Sequence, residues 1–404
     1  MYRIILMLFL LIAEMQEAGC GMRDAGFRML DNRCLSLTTL HQTQTTNHHP
    51  PSTIHEPSWP SSRANPQLTG FTSSVIRSPM KVLWQFKAGD GVKSGAVIAN
   101  GSIYFGCDDG YLYALDMKGQ LRWKFNSGNS IEASPLVLGS MVYFGNMEGI
   151  IFALDAATGV LKWKYTTDGQ VSGSCNWTTV TGSRQIRLIV GSYDFSLHCI
   201  DAATGKGIWK YATGNYINGT PAIAGNTALA GGCDGYLHRV NTATGKPLEK
   251  INLETYIPGS AAVSENKAWL GNYDGAFFCV DLKSGKPVWK KEIGGAFIAS
   301  PALGKGKVVT ATQSKWVYCL DAVTGSELWK FHAGGKVDAS PVISGETVVI
   351  GSGDGRLRLL DLKTGELKWT YETGSPITGT PAVANGIIVA GAGDGNVYGF
   401  GPVK

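Results

Sequence analysis

Charge is scarce in this 404-residue chain: Asp, Glu, Lys and Arg together make up 17% of it, and the formal net charge is only +5. Residues 1–80 hold six basic and five acidic groups, which leaves about +4 for the remainder. No basic stripe emerges of the kind that nucleic acid binding demands. Long apolar runs are missing too. The longest, Ile4 to Ala13, is well short of the roughly 20 residues a membrane helix requires. No stretch carries the apolar spacing of a helix, and no two of the eight cysteines are adjacent. Helical bundles, multi-span helical membrane proteins and a vicinal disulfide are thereby excluded.

The first 80 residues read as two segments. Arg3 followed by the Ile4–Ala13 run is the core of an export signal over residues 1–19, which places the mature protein outside the cytoplasm. Ala18-Gly19-Cys20 supplies the small residues and cysteine of a lipidation box, with Glu17 where Leu is usual, so Cys20 is the candidate lipid-bearing residue and the only expected link to a membrane. Residues 20–80 read as a polar linker or tail, its composition turning to Ser, Thr, Pro, Gln and His from Leu35 to Pro79. His41, His48, His49 and His55 fall there without the fixed geometry a metal needs, and no metal site is expected. A Cys20–Cys34 bond stays open.

What the rest does have is period. Tryptophan recurs at Trp84, Trp123, Trp163, Trp209, Trp289, Trp329 and Trp369, at intervals of 39, 40, 46, 80, 40 and 40 residues, with one beat missing at Glu249. A fixed period near forty marks a repeat architecture whose unit cannot bury its apolar face alone. The unit ending at Trp163 contains four short runs rich in Val, Ile, Phe and Tyr, which are four strands. Asp-Gly pairs, at Asp109-Gly110, Asp234-Gly235, Asp274-Gly275, Asp354-Gly355 and Asp394-Gly395, join the second strand to the third by tight hairpins. An Asp-x-x-Thr-Gly loop joins the third to the fourth, as at Asp155 to Gly159 and Asp201 to Gly205. The Asp there accepts from backbone N–H groups and the Gly adopts the left-handed conformation, so these acids are turn builders, not catalysts.

Small-small steps open each unit, from Ser94-Gly95 to Gly379-Thr380, and there are eight of them. The eighth unit has only three strands, and the missing one lies at the other end, where Lys81 to Phe86 copies the pattern of Val160 to Tyr165. The fold expected is all-β: residues 81–404 form an eight-bladed β-propeller of four-stranded antiparallel blades, the last closed by the N-terminal strand. Cys199, Cys279 and Cys319 take the third-strand place held elsewhere by Ala114 and Ala153 and are small buried residues, while Cys107 and Cys233 are too far apart around such a ring to pair. A monomer is expected.

Positions where the repeats disagree are free for recognition. The residue before each small-small step is Lys93, Glu132, Ser172, Asn218, Pro258, Ile298, Asp338 or Thr378, a polar ring at one channel mouth. Two irregular blades add candidates for partner contact: Trp177, near an insertion at 181–186, and Trp316, beside Ser314-Lys315 where Asp-Gly is missing.

Ala153-Leu154-Asp155, Thr158-Gly159 and Trp163 spell a motif that resembles the repeats of propellers related to those binding pyrroloquinoline quinone (PQQ), and it recurs in register from about Met80 to Val403. Trp59-Pro60, Arg63 and Asn65 to Gly70 resemble the opening segment of exported bacterial members, with Ser62 and Ala64 departing from the usual aromatic residue and glycine. Two branches look similar: quinoprotein alcohol dehydrogenases, and non-enzymatic propellers such as the propeller lipoprotein of the outer-membrane protein assembly machinery. The chain lacks the adjacent cysteines and long insertions of the first branch. The resemblance therefore implies an exported, non-enzymatic scaffold for envelope proteins in the periplasm or cell envelope, with no catalytic residue and no cofactor. The alternatives are a PQQ-dependent dehydrogenase carrying Ca²⁺, and a ligand-sensing propeller using the same mouth.

Overall fold

The computed structural model describes residues 58–180 and 182–403, and among them there is no helix. The strands form eight antiparallel four-stranded blades around a central channel, as the repeat predicts. Blade two shows the plan. Its innermost strand is Leu136–Leu138, followed by Met141–Gly145 and Ile150–Asp155, with Leu161–Thr166 outermost. The middle strands are covered on both faces by neighbouring blades and are apolar as far as Leu154, whereas Leu161–Thr166 alternates exposed with half-buried residues. In blade eight, Met80–Lys87 pairs with Asn396–Pro402, placing Trp84 opposite Gly399 and Phe86 opposite Val397. The strand that opens the repeat region and the one that closes it thus share one sheet, and the ring has no open seam.

The tryptophan period has a geometric cause. The indole N–H of Trp84, Trp123, Trp163, Trp209, Trp289 and Trp329 donates to a carbonyl in the next blade's outer loop, that of Met117, Ala156, Ala202, Thr242, Ala322 and Leu362, at 3.0–3.4 Å. Each ring also lies on that loop's glycine: a Cβ on Gly119, Gly159, Gly205, Gly245, Gly325 or Gly365 would come within 2.5–2.7 Å of it. One glycine therefore serves both the left-handed turn and the contact between blades. At Glu249 both are lost. The outermost strand of blade four shrinks to Ile251–Asn252, and Gly285 of blade five faces Arg239 and Ile251 instead of an indole. Trp369 meets blade eight, whose third and outermost strands, Asn396–Pro402 and Met80–Lys87, are not consecutive and so share no such loop, and it packs edge-on against Phe400 at 5.7 Å.

The loop acids behave as turn builders. Asp155 accepts from the backbone N–H of Ala157 and Thr158 and from the Thr158 hydroxyl at 2.9–3.2 Å, and these bonds hold its carboxyl below the usual range. Cys199, Cys279 and Cys319 are buried and free, and Cys107 and Cys233 are unpaired, so no disulfide occurs among the described residues. Cys20, Cys34, the export signal and His41, His48, His49 and His55 lie outside the described residues.

One expectation needs correction. The reading of residues 20–80 as a linker fails for its last part: residues 59–74 cross one end of the channel and bond to every blade in turn. Trp59 exchanges both backbone hydrogen bonds with Ile98 of blade one. Pro60 O accepts from Val137 N of blade two, and Pro66 O from the Asn176 side chain of blade three and Ile223 N of blade four. Gln67, Thr69 and Gly70 then accept from Val263, Leu303 and Ile343 of blades five, six and seven. Phe71–Thr72 adds a parallel strand to blade seven, and the Ser74 hydroxyl accepts from Gly386 N in blade eight. Each innermost strand has one edge with no further strand beside it. The segment supplies the carbonyls those edge N–H groups would otherwise lack.

Candidate functional site: a blind channel

Eight strands converging on one axis leave little room. A Cβ on Gly219 would come within 2.9 Å of the Gly259 carbonyl, and one on Gly379 within 2.6 Å of that of Ser94, which is why each blade opens on two small residues. The second of the pair is a hydroxyl residue in seven blades, and it links the inner strands: Thr220 Oγ1 accepts from Ser174 N at 3.0 Å, Ser300 Oγ from Ser260 N at 2.9 Å and Ser340 Oγ from Ser300 N at 2.9 Å. With one end sealed by residues 59–74, the channel is a polar well of about 160 Å³. It opens on the face carrying the Asp-Gly turns.

Arg63 forms the floor. Its guanidinium is 2% exposed, donates from Nη1 to Pro341 O at 2.7 Å and from Nη2 to Pro301 O at 2.5 Å, and has no bond at Nε. It packs on Gly70, where any side chain would strike it. No carboxylate pairs with it among the described residues. Burial pulls its pKa down to about 9, which leaves it protonated at neutral pH.

The predicted ring lies at the mouth, with one exception. Lys93, Glu132, Ser172, Asn218, Pro258, Ile298 and Thr378 line the well, but Asp338 does not: its carboxylate accepts from Gln313 Nε2 at 3.0 Å. Lys93 bridges Glu132 at 3.0 Å and Asp108 at 3.1 Å, and these bonds raise its pKa. Ser172 donates to Asn218 O, and Asn218 Nδ2 contacts the Cys233 sulfur.

The two irregular tryptophans are not free surface. Trp177 is half-buried against the core of blades two and three, and Trp316 packs edge-on against His332 at 4.9 Å with Lys330 above it. The exposed aromatics stand elsewhere on the mouth face. Tyr216, 43% exposed, contacts Tyr193 at 4.8 Å and Phe195 at 4.9 Å, and Tyr273, 40% exposed, stacks on Tyr256 at 4.2 Å. They form an arc over blades three to five. Phe195 holds a φ of 64° at the turn position that is Gly110, Gly149, Gly235, Gly275, Gly355 or Gly395 in other blades.

Two Tyr–His–Asp relays resemble catalytic apparatus without its access. His198 and His238, each 2% exposed, contact Asp194 and Asp234 through Nε2, and Tyr165 and Tyr211 through Nδ1, at 3.0–3.1 Å. Burial outweighs the neighbouring carboxylate and lowers both His pKa values. In the neutral ring Nε2–H donates to Asp and Nδ1 accepts from Tyr. Tyr113 on Asp109 and Arg358 on Asp354 fill the same place in other blades, so the relay is a turn brace.

Comparison with known proteins agrees with the geometry. The sequence pattern of the outer membrane protein assembly factor BamB family matches residues 79–179, 169–295 and 273–403. No curated protein matches the chain in sequence. Among solved structures, BamB from Moraxella catarrhalis superposes with a TM-score of 0.68 at 19% identity, covering 80% of this chain and 100% of that one. A europium-containing methanol dehydrogenase gives 0.74 at 13% identity, with 85% and 98% coverage. The quinohemoprotein alcohol dehydrogenase from Comamonas testosteroni gives 0.73 at 15%, with 86% and 81%. At such identities the superpositions speak for the fold alone, which scaffolds and enzymes share. The sequence match spans nearly all of the propeller, and the chain belongs to the BamB family of PQQ-like repeat propellers.

Proposed function

We propose that this chain is a non-enzymatic propeller of the cell envelope, a monomer that binds other envelope proteins through its mouth face. The aromatic arc carries the reading. Tyr and Phe are the residues protein interfaces favour, and an exposed group of them on one face is the usual mark of a contact surface. Phe195 adds to it: a bulky residue kept where glycine would relieve strain of about 1 kcal/mol points to selection for the side chain.

Quinone chemistry finds little to use. PQQ needs a flat wall to stack on, a carboxylate base and a divalent cation held by oxygen ligands. The well has no aromatic in its lining, and the carboxylate lining it, Glu132, is tied to Lys93. Among the described residues no three His, Cys, Asp or Glu side chains are placed to hold a metal. The residues do not fit the group.

Crosslinking in the native envelope tests the proposal. The wild-type chain should capture defined envelope proteins, and Tyr216→Ala with Tyr273→Ala should lose them at an unchanged melting temperature. Purified protein given PQQ and Ca²⁺ should show no saturable melting shift and no dye-linked alcohol oxidation. Capture undiminished in the double variant, or turnover with the quinone, would overturn the proposal.

A further inference from the structure

The Arg63 guanidinium is a buried cation that two carbonyls solvate only in part. Its Nε–H is unbonded, no carboxylate stands against it among the described residues, and it floors a cavity that is open to solvent at the far end. Leaving a charge in that condition is strongly unfavourable unless something compensates it. The walls above it are set to donate. Thr220, Ser300 and Ser340 each use the oxygen to accept a backbone N–H from the neighbouring blade, which leaves the hydroxyl proton free for an acceptor in the well. Nearest the mouth, the one lining carboxylate, Glu132, is neutralised by Lys93. A lower well with a cation at its base, hydroxyl donors on its walls and no carboxylate of its own is complementary to negative charge.

We propose that the blind well binds a small oxyanion, of carboxylate or phosphate type, against Arg63. The volume of about 160 Å³ suits an ion of a few heavy atoms and lies below the ~300 Å³ at which pockets begin to take drug-sized ligands. This inference is separate from the scaffold reading: the arc lies on the surface and the well on the axis, so either can fail without the other.

The test uses the full purified chain with formate, acetate or inorganic phosphate titrated against chloride at constant ionic strength. At a hundredfold excess over Kd, an oxyanion should raise the melting temperature by about 5 °C, saturably and beyond chloride. A response to carboxylates alone or to phosphate alone supports the site and identifies its class. Arg63→Gln should abolish the response. Because that change also touches the sealing segment, Ser300→Ala and Ser340→Ala provide the second arm: each keeps Arg63 in place and should weaken binding on the order of tenfold. The proposal is overturned if no oxyanion exceeds chloride, or if the serine variants respond like the wild type.

Discussion

A chain from which residues 59–74 have been removed, with all eight blades intact, should melt on the order of 10 °C lower than the full protein. The edge amides of Ile98, Val137, Ile223, Val263, Leu303 and Ile343 lose their acceptors in that segment, each bond contributing roughly 1 kcal/mol before water replaces part of it. Trp59 and Leu68, each 1% exposed, lose burial that stabilises by about 2 kcal/mol apiece. A net loss near 5 kcal/mol, at roughly 2 °C per kcal/mol for a domain of this size, gives the shift. Differential scanning calorimetry reads it directly. An unchanged melting temperature would mean that the segment merely rests on the ring.

The second large effect is expected at a blade junction. Trp163→Ala removes an indole that lies on Gly205 and donates to Ala202 O at 3.1 Å, and it should destabilise the protein by about 3 kcal/mol. Gly205→Ala attacks the same contact from the other side. Its φ of 72° is unfavourable for alanine and the new Cβ would meet the indole at 2.6 Å, together roughly 2–4 kcal/mol. Because both changes break one contact, the double variant should be much less destabilised than the sum. Glu249→Ala, where the beat is missing, should stay within about 0.5 kcal/mol of the wild type. Urea unfolding of the four variants decides the matter, and equal losses at Trp163 and Glu249 would refute this account of the period.

The propeller was legible because its signals repeat. Trp, Asp-Gly and Asp-x-x-Thr-Gly each mark a local constraint, and their recurrence in register over eight units leaves little ambiguity about strand number or the split last blade. Glu249 was legible for the same reason, since a single gap in a regular series stands out. The candidate site was harder. The ring from Lys93 to Thr378 followed from the repeat, yet the departure of Asp338 depends on Gln313, which lies 25 residues away and belongs to no motif. Trp177 and Trp316 are irregular in sequence, but irregularity does not report exposure; both found packing partners. Residues 59–74 hid behind their composition. A segment with few apolar residues looks unstructured when its bonds are made by backbone carbonyls, and only the resemblance of Trp59-Pro60, Arg63 and Asn65 to Gly70 to an opening segment hinted otherwise. The aromatic arc follows the repeat, with Tyr216 and Tyr256 40 residues apart at one position and Tyr193 and Tyr273 80 apart at another, but these positions are aromatic in too few blades to stand out.

Amide hydrogen exchange of the full chain bears most directly on the claim that residues 59–74 seal one end of the channel. The amides of Val137, Ile223, Val263, Leu303 and Ile343 should exchange as slowly as those of middle-strand residues such as Phe144 and Val349. Exchange at the rate of exposed turn amides such as Gly139 would contradict the sealed channel, and with it the well above Arg63.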